Sequence, residues 1–172
     1  MSIKTEIILP GATLLLAHEP TTGDPGRTGN GITITEEDVE PDTLTSIEVR
    51  QRDESKIVHV LWRPQSWHLN FCVLFVPETS VLFIGGGTFS STIDVNSMKI
   101  IHQHRVDLFW SFQHMPRSIL ELGEIECFLY RTSGELVGSV PVDPPYDVVE
   151  RESDVEFVTS LFGIQRLAFP TS

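Results

Sequence analysis

The sequence predicts an all-β or mainly β fold, an antiparallel meander or sandwich with two similar hairpins and at most one or two short helical turns. Three observations carry this. Short runs rich in Val, Ile, Thr and Phe recur between clusters of Gly, Pro, Asn, Asp and Ser, the punctuation of strands and turns. Nowhere do apolar residues repeat over a long stretch at the three- and four-residue intervals of a helix. Residues 81–142 also contain one hairpin design twice. Val81-Leu82-Phe83-Ile84 leads through Gly85-Gly86-Gly87 and an alternating strand to an Asn96-Ser97 turn. Ile119-Leu120-Glu121-Leu122 leads through Gly123 to a Ser133-Gly134 turn, so that Gly85 and Gly123 stand 38 residues apart. The two hairpins are expected to be adjacent, with Leu82, Ile84, Ile93, Ile100, Leu120, Leu122, Phe128 and Val137 in the core.

Taken in order, Ile3 to Leu9 and Thr13 to Ala17 read as strands hinged at Pro10-Gly11. Residues 18–31 hold mainly Gly, Pro, Thr, Asp and Asn, which predicts a mobile surface loop; it lacks the lysine and the Gly-Lys-Ser/Thr ending of a phosphate loop. Thr35-Glu36-Glu37-Asp38 suits the start of one helical turn, because the threonine hydroxyl accepts from backbone N–H groups and early acids suit the helix dipole. Leu44 to Arg52 and Lys56 to Trp62 alternate as half-exposed strands joined by Arg52-Asp53-Glu54-Ser55, with Ile47 and Val49 on one face of the first and Val58, Val60 and Trp62 on one face of the second. Phe71 to Val76 is apolar at every position. It reads as a strand covered on both faces and, with Val81 to Ile84, as the centre of the core. Val106 to Phe112, Val155 to Val158 and Arg166 to Phe169 complete about a dozen strands. In Val140-Pro141-Val142-Asp143-Pro144-Pro145-Tyr146 the prolines fix φ and remove donors, which ends an edge strand in a rigid extended arm.

At 172 residues the chain is read as a single domain, residues 1–172, that buries a core without disulfide or metal. Twelve bases against 24 acids give a net charge of −12, which opposes binding to nucleic acid or an anionic membrane. The surplus is concentrated: Glu36 to Asp42 has five acids and no base, and Asp143 to Glu156 has six acids and one base. Cys72 and Cys127 lie in apolar runs and are expected as buried thiols. The apolar run Ile7 to Ala17 is preceded by Glu6 and broken by Pro10-Gly11, so neither a signal peptide nor a membrane span is expected and the expected location is cytoplasmic.

Little in the chain specifies chemistry. His102-Gln103-His104 places two imidazoles on one face of a strand, as in zinc pairs, with His114 and the carboxylates Asp94 and Asp107 as the available third ligands. No recognised spacing supplies that ligand, so His102, His104 and His114 are weak metal candidates and no cofactor is expected. Gly85-Gly86-Gly87 predicts a bulge or a close backbone crossing. No nucleophile elbow is present and no catalytic residue is assigned. A partner surface is assigned instead to acids and aromatics in the charged segments and loops: Glu36, Glu37, Asp38, Asp143, Tyr146, Asp147, Glu150 and Trp67.

Each repeat resembles a blade of the β-propeller repeats, in which an apolar strand ending in glycine precedes a strand with a polar turn. In size, acidity, β-meander and lack of catalytic signature the chain is similar to the small bacterial immunity proteins that neutralise toxin domains in the cytosol. That resemblance implies a basic protein partner, a toxin domain, and transfers no residue roles. Two other readings stand beside it. One is an enzyme or small-ligand or metal-binding β protein using His102, His104 and His114; the other is a structural module that assembles through its sheet edges.

Overall fold

The computed structural model describes residues 3–21, 31–36, 40–64 and 71–170, and the protein is all-β, with sixteen strands in four sheets and no helix among those residues. The first sheet comprises β1 (Ile3–Leu9), β2 (Ala12–Pro20), β3 (Ile32–Thr35), β4 (Thr43–Gln51) and β5 (Glu54–Trp62), in the order β1-β2-β4-β5-β3. Only β3 is parallel to its neighbour, β5. The second sheet is a meander of β6 (Phe71–Val76), β7 (Val81–Gly86), β8 (Phe89–Asp94) and β9 (Lys99–Arg105). The third repeats it with β10 (Phe109–Met115), β11 (Ser118–Gly123), β12 (Glu126–Arg131) and β13 (Leu136–Pro141). The fourth has three strands, β14 (Asp147–Glu150), β15 (Asp154–Thr159) and β16 (Gly163–Ala168).

The sheets stack face to face in chain order, and the period-two alternation of side chains explains how one strand serves two layers. In β7, Leu82 and Ile84 pack with Leu14, Ile47 and Val58 of the first sheet, whereas Val81 and Phe83 face Phe109, Ile119 and Tyr130 of the third. In β11 and β12, Ile119, Phe128 and Tyr130 face the second sheet, while Leu120, Leu122, Cys127 and Leu129 meet Val155, Phe157 and Leu167 of the fourth. Every residue of β7 and β11 is buried, which is why β7 reads as an apolar run and β11 carries only Ser118 and Glu121 as polar side chains. Gly85 permits this closeness: a Cβ there would lie 2.2 Å from the Phe109 ring.

The two repeats therefore lie in successive sheets, packed by their faces. Of the core residues expected in them, Leu82, Ile84, Ile93, Leu120, Leu122 and Phe128 are buried, but Ile100 and Val137 are 40% and 39% exposed. The reason is positional: β9 and β13 are edge strands. β6 is likewise an edge strand and only half-buried over its first four residues, so it lies at the margin of the core. β2 continues to Pro20, so His18 to Pro20 form strand where a loop was expected; residues 22–30 lie outside the described residues. Thr35 ends a strand and the backbone N–H of Glu36 donates to Leu61 O, while residues 37–39 of the expected helical turn lie outside the described residues. The strand expected from Val106 begins at Phe109, and the acidic segment after Tyr146, whose charges predict a loop, contributes β14.

Candidate functional site

Three of the chain's acids are built into the junctions between sheets. Glu36, at the end of β3, is 2% exposed; its carboxylate accepts from Thr88 N (2.9 Å), Thr88 Oγ1 (2.6 Å) and Arg63 N (2.9 Å), tying the first sheet to the second. Glu121 projects from β11 into the layer between the second and third sheets and is fully buried. Asp143, in the connection to the fourth sheet, accepts from Ser160 Oγ and Leu161 N in the β15–β16 turn. The Ser160 hydroxyl, followed by the Leu161 amide, holds the Asp143 carboxyl below its ordinary range. Glu36 and Asp143 were expected on a partner surface, but their side chains point inward.

Tyr146 is also an internal anchor. Its hydroxyl donates to Gly123 O at 2.7 Å, the Cys127 thiol donates to it at 3.4 Å, and its ring stacks on Trp110 with 5.2 Å between centroids. Burial raises the phenol's pKa, and the Cys127 thiol is likewise pushed up by burial. The outcome is a clamped segment. From it Asp147 and Glu150 project into solvent, followed by exposed Glu152, and no side-chain hydrogen bond or ion pair engages these three among the described residues. Glu156 differs: it is buried between Arg151 and Arg166, 3.2 and 2.9 Å away, and these guanidiniums, Arg166 first, depress its carboxyl pKa. Glu37, Asp38 and Trp67 lie outside the described residues.

The histidines belong to the second junction. His102 and His104 share a face of β9, 5.1 Å apart, and turn toward the third sheet. Ser90 and Tyr130 hydroxyls donate to Glu121 Oε2 at 2.7 and 2.9 Å. His104 Nε2 lies 3.3 Å from Glu121 Oε1, and its Nδ1 lies 3.4 Å from the Tyr130 hydroxyl. The first contact is within ion-pair distance, yet its alignment does not make a hydrogen bond, so Glu121 Oε1 and His104 Nε2 are buried without a hydrogen-bond partner among the described residues. With both ring nitrogens facing internal groups, His104 presents none to a substrate. Burial, then the neighbouring His104, lowers the pKa of His102. His114 is exposed on β10, in the adjoining sheet, and no group of three or more His, Cys, Asp or Glu among the described residues is arranged to hold a metal ion.

Sequence reasoning missed Glu121, Ser90 and Tyr130 as one unit. A signal was present, since Glu121 is the single charge in an otherwise apolar strand that is covered on both faces. No family model matches the chain, and no curated protein matches it.

Proposed function

We propose that this is a protein-binding module that takes a basic partner on the acidic edge formed by β14 and the turn after it. The observation that supports this is the clamped presentation of Asp147, Glu150 and Glu152, three exposed acids without internal partners on a segment fixed by Tyr146 and Asp143. Folding gains nothing from leaving like charges together, and a preordered acidic edge reduces the entropy lost when a cationic surface docks. A cytosolic toxin domain is the partner class that fits the likeness to immunity proteins. The contacts of both His104 ring nitrogens with Tyr130 and Glu121 and the solvent exposure of His114 favour this over a reaction at either histidine.

The test is affinity against a panel of basic nuclease toxin domains at physiological salt. At least one should bind, and Asp147→Lys with Glu150→Lys should weaken it by about tenfold or more while leaving the urea midpoint unchanged, since exposed charges contribute only about 0 to 1 kcal/mol. Unchanged affinity in the reversed variant would remove the acidic edge from the contact.

A further inference from the structure

The outer face of the first sheet carries a polar row that no junction uses. Lys4 pairs with Ala17, Ala17 with Ser46 and Ser46 with His59, so the four stand in register across β1, β2, β4 and β5. Residues opposite one another in paired strands share a face, and here it is the outer one, because the chain neighbours Leu16, Ile47 and Val58 fill the core. All four line a shallow groove of about 530 Å³. The next row along the strands, Glu6, Leu15, Glu48 and Ile57, lines it as well. With only a methyl at Ala17, the space between Lys4 and Ser46 stays open.

Within this row Ser46 Oγ lies 3.0 Å from His59 Nδ1, and both residues are half-buried. With the imidazole proton on Nε2, Nδ1 accepts the hydrogen bond of the serine hydroxyl, which is the relation of a nucleophile to its general base. The far edge of the ring is packed: a Cβ on Gly31 would lie 3.3 Å from His59 Cδ2 and 3.5 Å from its Nε2. A second hydroxyl–imidazole pair in the same sheet shows the contrast. Thr45 Oγ1 meets His18 Nδ1 at 2.8 Å, but Thr45 is fully buried and also accepts from Trp62 Nε1, so no substrate reaches it. The Ser46 hydroxyl opens on the groove instead. Lys4 stands two strands away, roughly 10 Å between main chains, a gap that its long side chain can close over a bound carbonyl group.

We infer that this row is a hydrolytic site for small uncharged carboxylic esters, with Ser46 as nucleophile, His59 as general base and then acid, and Lys4 opposite the developing oxyanion. Ser46 Oγ adds to the ester carbonyl carbon while its proton passes to His59 Nδ1. The carbon–oxygen bond to the leaving group then breaks, and His59 gives the proton to the departing alkoxide, which leaves an acyl group on Ser46. Water adds to that acyl carbonyl and passes a proton to His59; the bond to Ser46 Oγ breaks, Ser46 takes the proton back, and the carboxylic acid departs. Ester and water thus become acid and alcohol with no change of oxidation state. Leu15, Ala17 and Ile57 suit a short apolar acyl chain, while Glu6 and Glu48 disfavour an anionic substrate. The groove lies at the opposite end of the stack from β14 and takes nothing from the basic-partner reading.

Hydrolysis of p-nitrophenyl butyrate by the full chain tests this. The wild type should release p-nitrophenol faster than an equimolar solution of free histidine, and peptide mass mapping of quenched protein should find a butyryl group on Ser46. Ser46→Ala and His59→Gln, each with an unchanged urea midpoint, should lose about 100-fold or more of kcat/KM. Lys4→Met should lower kcat about tenfold with little change in KM, since the oxyanion develops only on the way to the transition state. If Ser46→Ala unfolds, the wild type itself carries the test: diethyl p-nitrophenyl phosphate should block hydrolysis and label Ser46 alone. A wild-type rate no greater than that of free histidine, a folded Ser46→Ala that hydrolyses as fast as wild type, or a label on another residue would each overturn the site.

Discussion

A carboxylate sealed from water is tolerated only where its neighbours replace the lost hydration. At Glu121 the Ser90 and Tyr130 hydroxyls supply hydrogen bonds to Oε2. Removing the acceptor leaves two buried hydroxyls unpaired, so Glu121→Ala should destabilise the protein by about 2 to 5 kcal/mol, and Tyr130→Phe, which removes one donor, by about 1 to 3 kcal/mol. Urea unfolding measures both; a neutral Glu121→Ala would show that the junction does not depend on the carboxylate. Gly85 tests packing at the same scale. Its added methyl would meet the fully buried Phe109 ring, which has no solvent to move into, so Gly85→Ala should cost about 1 to 3 kcal/mol or more.

At the scale of elements, the β15–β16 turn is held by a carboxylate from outside its own hairpin. Because Asp143 and Glu156 titrate below their ordinary values of 3.8 and 4.5 in the folded state, their contribution is fully present above that range and is lost as pH falls through the lower folded values. Asp143→Asn should therefore lower Tm at neutral pH, and its difference from wild type should shrink below about pH 4; a difference that stays constant down to pH 2 would exclude this linkage. The same elements show what was legible in the sequence. The apolar run Val81 to Ile84 marked β7, the matching Ile119 to Leu122 marked β11 despite Glu121, and alternation gave the buried sides of β4 and β5. β14 was hidden by its acidic ends, Asp147 and Glu150, which read as loop, although Val148 packs toward the core. β3 escaped because it pairs in parallel with a strand more than 20 residues on, a long-range partnership that no local turn announces. Glu36 and Asp143 were assigned outward because composition counts charges but does not show which hydroxyl or amide each one will meet.

Across the whole molecule, three apolar layers and the carboxylates of Glu36, Glu121 and Asp143 at their junctions repeat one design, which leaves the exposed acids outside the junctions as the proposed partner surface. Charge reversal at Asp147 and Glu150 should alter binding without altering the fold, and the most direct measurement is the association rate with a basic toxin domain at low salt and at about 0.15 M, where the Debye length is about 8 Å. The wild-type rate should fall steeply with salt, while Asp147→Lys with Glu150→Lys should slow low-salt association and flatten that dependence. An association rate indifferent both to salt and to the reversals would contradict an acidic edge as the docking surface.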